Sequence, residues 1–140
     1  MPASDLCEPH VIAALQKEGW QVIGHQLSLH LPQNHHLFID LLIQRGYQAA
    51  SEQILVLEVK CFSQPDSYLL DFYNATGQYV YYRNALRELG IPHPLYLAIP
   101  YHAFEHFFQR TTVQMTLKEL KVKIVVVELT SERIIEWLIY

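Results

Sequence analysis

The chain has 140 residues, 51% of them apolar, and a formal net charge of −4. That size and apolar share fit a single folded domain, residues 1–140, and exclude a disordered chain. No apolar run approaches the roughly 20 residues of a membrane-spanning helix, and the acidic balance excludes nucleic-acid binding through a broadly basic surface.

The start, Met1-Pro2-Ala3-Ser4-Asp5, has neither the basic residues nor the apolar stretch of a signal peptide, so a cytoplasmic protein is expected. The two cysteines, Cys7 and Cys61, make no disulfide framework and lack metal-ligand spacing, and both are read as free thiols. Apolar residues at helical spacing, Val11, Ile12 and Leu15, predict a helix over 6–18, with Pro9 in its first turn and Gly19 at its end. Short strands over 20–23 and 26–31, joined near Gly24, lead to the turn signal Pro32-Gln33-Asn34. A strand over 36–44 follows, and Gly46 helps the chain turn. Residues 53–60 form the clearest strand, a run of Ile, Leu and Val suited to the centre of a sheet.

Gln64-Pro65-Asp66-Ser67 can cap a long helix over 67–89, ended by Gly90 and Pro92. Gly77 in mid-helix costs about 1 kcal/mol against Ala, which close packing on the sheet would explain. A strand over 95–99, a short helix over 101–109, another over 116–120, and strands over 123–129 and 133–138 complete the chain. The expected class is α/β in the α+β sense: a mixed β-sheet flanked by helices.

Two carboxylates interrupt the apolar strands: Asp40 in Phe38-Ile39-Asp40-Leu41 and Glu58 in Leu57-Glu58-Val59-Lys60. An unpaired buried charge is costly, and two acids on neighbouring strands can offset that cost by sharing a divalent cation. Glu58 and Lys60 are two residues apart and leave the same face of the strand. Lys60 then stands where it can orient an attacking water or stabilise charge growing on a phosphate. Oxygen ligands suit Mg²⁺ or Mn²⁺, and the implied chemistry is metal-assisted phosphodiester hydrolysis. As a bare pattern, Asp with Glu-x-Lys is common, and a strand-end acid beside an exposed ion pair would also produce it. On the next helix Gln78 and Tyr82 lie one turn apart on one face, and this Gln-x-x-x-Tyr resembles the auxiliary motif of some PD-(D/E)xK nucleases. These two, with Lys60, are the expected substrate-binding residues, and Gln78 joins Asp40, Glu58 and Lys60 in the catalytic set.

Glu8 falls on the apolar stripe of the first helix and is a candidate third metal ligand, or alternatively a helix cap beside Pro9. His102-Ala103-Phe104-Glu105-His106 matches the inverted zinc-protease pattern, but in a short, aromatic-rich segment of a chain much smaller than such enzymes. His35-His36 reads as a solvent-facing pair. Basic residues gather at Lys118, Lys121 and Lys123 and at Arg83 and Arg87, groupings that ordinarily mark solvated faces. DNA binding would therefore draw part of its affinity from a partner.

The chain resembles the XisH family of cyanobacterial fdxN-element excision controlling factors. The resemblance covers nearly its full length: Met1-Pro2-Ala3 with Asp5, Ala14-Leu15, Glu18-Gly19-Trp20, Phe38-Ile39-Asp40-Leu41, Leu57-Glu58-Val59-Lys60 with Phe62, Ala75-Thr76-Gly77-Gln78-Tyr79 with Tyr82-Arg83, Leu95-Tyr96-Leu97-Ala98-Ile99-Pro100 and Trp137. It implies a restriction-endonuclease-like fold of the PD-(D/E)xK type. It also implies an accessory role, with a XisI-type protein and a site-specific recombinase, in excising a DNA element during heterocyst differentiation. The expected partners are DNA, a XisI-type protein and a second copy of the chain in a homodimer, with no membrane. Two departures stand out: Glu8 occupies a position where the family is expected to have His, and the middle section over 33–47 is less basic than usual.

Overall fold

Residues 4–46 and 52–140 are described by a computed structural model. The Met1-Pro2-Ala3 signature and Tyr47 lie outside the described residues. Val11, Ala14 and Leu15, spaced for a helix, bury one face of α1 (Ser4–Lys17), and Gly19 at φ 85° turns the chain toward Trp20. Then follow β1 (Gln21–Leu31), β2 (His35–Arg45), β3 (Gln53–Val59), a 3₁₀ turn (Pro65–Ser67), α2 (Tyr68–Glu88), β4 (Leu95–Pro100), α3 (Tyr101–His106), α4 (Thr111–Leu120), β5 (Lys123–Glu128) and β6 (Arg133–Ile139). The strands form one six-stranded sheet in the order β1-β2-β3-β4-β5-β6. β1–β2, β2–β3 and β5–β6 are antiparallel, whereas β3–β4 and β4–β5 are parallel. Parallel neighbours need crossovers, and α2 and the α3–α4 pair supply them. The fold is the expected α+β mixed sheet flanked by helices.

The alternation of strand residues divides the core. Leu55, Leu57 and Val59 of β3 pack with Val11, Leu15 and Trp20 on the α1 face. Val56 packs with Phe72, Ala75, Tyr79 and Phe107 on the opposite face, under α2, α3 and α4. Leu55 to Val59 are all buried, as expected of a central strand covered on both sides.

Several expectations are corrected. The residues read as two short strands form the single strand β1, with a register shift between Val22 and Gly24 and a left-handed Gln26 at φ 50° absorbing the irregularity. α1 begins at Ser4, so Pro9 lies beyond its first turn. α4 begins at Thr111 rather than 116, because Val113 and Leu117, one turn apart, both reach the core. Cys7 and Cys61 are not free thiols. They form a disulfide with Cα atoms 5.7 Å apart, tying α1 to the residue after Lys60. Their sequence separation of 54 carries no signal of this; only the packing of α1 against the end of β3 brings them together. A loop of that length contributes about 4 kcal/mol in the chain-entropy account.

Gly77 is a further correction. A Cβ built there meets nothing within 4 Å, so close packing does not explain the glycine. Gly77→Ala is expected to raise stability by about 1 kcal/mol and the melting temperature by roughly 3 °C. A thermal melt that shows a decrease would contradict this.

Candidate metal centre

The β2–β3 ladder runs from Arg45 opposite Gln53 to Leu41 opposite Leu57. At the next step the side chains of Asp40 and Glu58 take over the pairing. The Val59 N–H donates to Asp40 Oδ2 at 2.7 Å, and the Asp40 N–H donates to Glu58 Oε1 at 3.3 Å. Each carboxylate thus satisfies a backbone donor of the other strand. The sequence already places a β-prone run on either side of each acid, and it is this run that holds them in register. The Lys60 N–H donates to the Ala98 carbonyl at 3.0 Å, so the parallel pairing with β4 persists past the end of β3. Lys60 Nζ lies 3.9 Å from Glu58 Oε2.

Glu58 is 6% exposed. Burial first, and then the charge of Asp40, push its carboxyl up to about 8, against the opposing pull of Lys60. Such a pair holds a proton near neutral pH because two like charges this close cannot both ionise cheaply. A divalent cation removes that conflict by attracting both carboxylates. Among the described residues no group of three His, Cys, Asp or Glu side chains is arranged to hold a metal. Two carboxylates are the kind of oxygen donors with which Mg²⁺ or Mn²⁺ is held, waters and substrate phosphates completing the shell. The pair does not suit a closed zinc site.

On α2, Tyr82 lies within electrostatic reach of this pair. The Tyr82 hydroxyl is half-buried and its pKa is raised, first by burial and then by the charges of Glu58 and Asp40. Gln78, one turn earlier, has a buried Oε1 with no hydrogen-bond partner. A buried polar atom left unpaired on that helix face is ready for a water or a substrate donor. Lys60 also borders a cleft of about 280 Å³ lined by Ser63, Ser67 and Asp71. Sequence reasoning did not select these three. Asp71 reads there as an ordinary first-turn acid of α2, and its nearness to Lys60 depends on how the loop after β3 folds back.

Other candidates lie elsewhere. Glu8 is half-buried on α1, which packs against the opposite face of the sheet, and it does not combine with Asp40 and Glu58 into a three-ligand group. His102 is engaged with Tyr68, Nδ1 to hydroxyl at 2.7 Å, and burial lowers its pKa; no zinc cluster forms around it among the described residues. His35 contacts the Tyr81 hydroxyl at 3.1 Å, and the His36 ring lies 4.3 Å from that of His30.

The model of the XisH protein family matches residues 1–135. Two solved structures share the fold. A crystal structure of an XisH family protein from Nostoc punctiforme PCC 73102 is 29% identical, with TM-score 0.84 over 94% of this chain and 98% of that one. A crystal structure of a fdxN element excision controlling factor protein from Anabaena variabilis is 31% identical, with TM-score 0.85 over 95% of this chain and 98% of that one. No curated protein matches the chain.

Proposed function

This chain belongs to the XisH family, and we propose that it is an endonuclease-like factor controlling excision of a DNA element through a divalent-metal site at Asp40 and Glu58. The observation that carries this reading is the reciprocal carboxylate pair, Glu58 buried and Asp40 half-buried, with Lys60 beside it. Asp40 and Glu58 would hold Mg²⁺ or Mn²⁺, and the bound ion would supply Lewis-acid activation of a phosphodiester and of a water. Lys60, 3.9 Å from Glu58, would as an ammonium orient the attacking water and balance charge on the phosphate, or, unprotonated, would take that water's proton as a base. Gln78 donates or accepts at that water or at the substrate through the amide whose Oε1 is otherwise unpaired. Tyr82 borders the substrate on the same helix face.

The test is incubation of supercoiled plasmid with the purified chain. With Mg²⁺ or Mn²⁺, nicked circles are expected, and with a chelator none. Plasmid left intact under all metal conditions would contradict hydrolysis. One observation favours a second reading, a non-catalytic control protein acting through a XisI-type partner and DNA: the net charge of −4 is poor support for binding DNA alone. In that reading the carboxylate pair and its metal order the surface for the partner, and metal binding persists without nicking.

A further inference from the structure

The far end of α2 carries a second cluster that the metal site does not use. A cleft of about 240 Å³ opens between the C-terminal half of α2 and the starts of β4 and β5. Its cationic walls are Arg83, Arg87, His93 and Lys121, and no carboxylate lines it; Lys123 borders it with its backbone N–H bonded to the Tyr79 hydroxyl, while its ammonium lies over Tyr96 on the other face of the sheet. Among the described residues, none of these four belongs to an ion pair. In a chain with net charge −4, that is a concentrated exception.

The cleft is also built rather than incidental. Arg83 Nη1 donates to the carbonyls of Leu120 and Lys121, at 2.7 and 3.2 Å, which pins the guanidinium beside the end of α4. The Tyr79 ring lies under it, 5.3 Å from the guanidinium carbon. With the head group fixed, Arg83 Nε is buried and has no hydrogen-bond partner. A buried guanidinium N–H without an acceptor is costly, and an anion supplies that acceptor. Lys121 sits at φ 54°, in the left-handed turn that ends α4, so the loop carrying it is set by the backbone.

We propose that this cleft binds a phosphate of a DNA strand, a second anchor on the substrate whose scissile phosphate lies at Asp40 and Glu58; the inference rests on the nucleic-acid reading above. On α2, Tyr82 lies within electrostatic reach of the metal pair while Arg83 and Arg87 line the cleft, so one helix addresses two points on the backbone. The cluster adds affinity independent of base sequence, since phosphate contacts position a strand and base contacts specify it.

The experiment measures binding of a fluorescein-labelled duplex to the full chain in chelator, so that the metal site plays no part, across a series of salt concentrations. The double variant Arg87→Gln, Lys121→Gln changes two surface cations and leaves Arg83 in place. Expected are a loss of affinity of at least 10-fold and a slope of log K against log salt shallower by about two. Arg133→Gln, an exposed cation on β6 outside the cleft, should leave this binding within about two-fold, and because binding is read in chelator, failure of the cleft is separated from failure of the metal site. Inorganic phosphate should compete, and poly-glutamate at equal charge should compete more weakly. Equal affinity and slope in wild type and double variant would overturn the proposal. So would stronger competition by poly-glutamate, which would make the cleft a dock for an acidic protein segment, or duplex binding indifferent to phosphate.

Discussion

Lys60→Ala is expected to lower metal-dependent nicking by at least about 100-fold while leaving the fold and the metal affinity nearly intact. The reasoning is local. The Lys60 side chain is partly exposed at the end of β3, and its ammonium pairs with Glu58 at 3.9 Å. Removing it costs little packing, yet takes away a cation beside the carboxylate pair. Loss of a single charge-stabilising donor from such a site typically costs a factor of roughly 10² to 10³. Circular dichroism and a metal titration verify that the variant is folded and loaded, and a plasmid assay gives the rate. Nicking at the wild-type rate by a loaded Lys60→Ala protein would remove Lys60 from the chemistry.

The second large effect concerns Glu58 and pH. Its folded-state pKa of about 8 lies above the ordinary carboxyl value of 4.5, through burial first and the Asp40 charge second. The folded protein therefore holds this proton more tightly than the unfolded chain does. That contribution is fully present below pH 4.5 and is lost as pH rises through about 8. In chelator, the wild-type protein should lose on the order of 2–5 kcal/mol between pH 5 and pH 9 from this group. Glu58→Gln cannot ionise and still offers an oxygen to the Asp40 N–H, so its stability should be flatter over that range and higher than wild type at pH 9. Urea unfolding at a series of pH values reads both curves. Parallel curves for the two proteins would show that Glu58 is not the group responsible. Adding Mg²⁺ should reverse the order, stabilising the wild type at high pH and leaving Glu58→Gln unmoved.

Much of this was legible in the sequence because the signals are local. The Ile-Leu-Val run of β3 reads as a central strand, and alternation assigns Glu58 and Lys60 to one face. The i, i+4 spacing of Gln78 and Tyr82 likewise survives in α2. What the sequence hides depends on long-range placement. The disulfide needs α1 folded against the end of β3. Asp71 reaches the Lys60 cleft only through the loop and 3₁₀ turn between them. Glu8 follows the helical spacing of the core residues, but α1 packs on the face away from α2, which the spacing of one helix cannot tell. The basic cleft joins three segments, and only Arg83 and Arg87 are neighbours in sequence.

The central claim is that Asp40 and Glu58 together hold a divalent cation, and titration calorimetry with Mn²⁺ on wild type and Asp40→Asn tests it most directly. The account predicts one site per wild-type chain, proton release on binding near neutral pH because Glu58 must give up its proton, and no detectable binding in the variant. Equal Mn²⁺ affinity in the two proteins, or none in either, would contradict it.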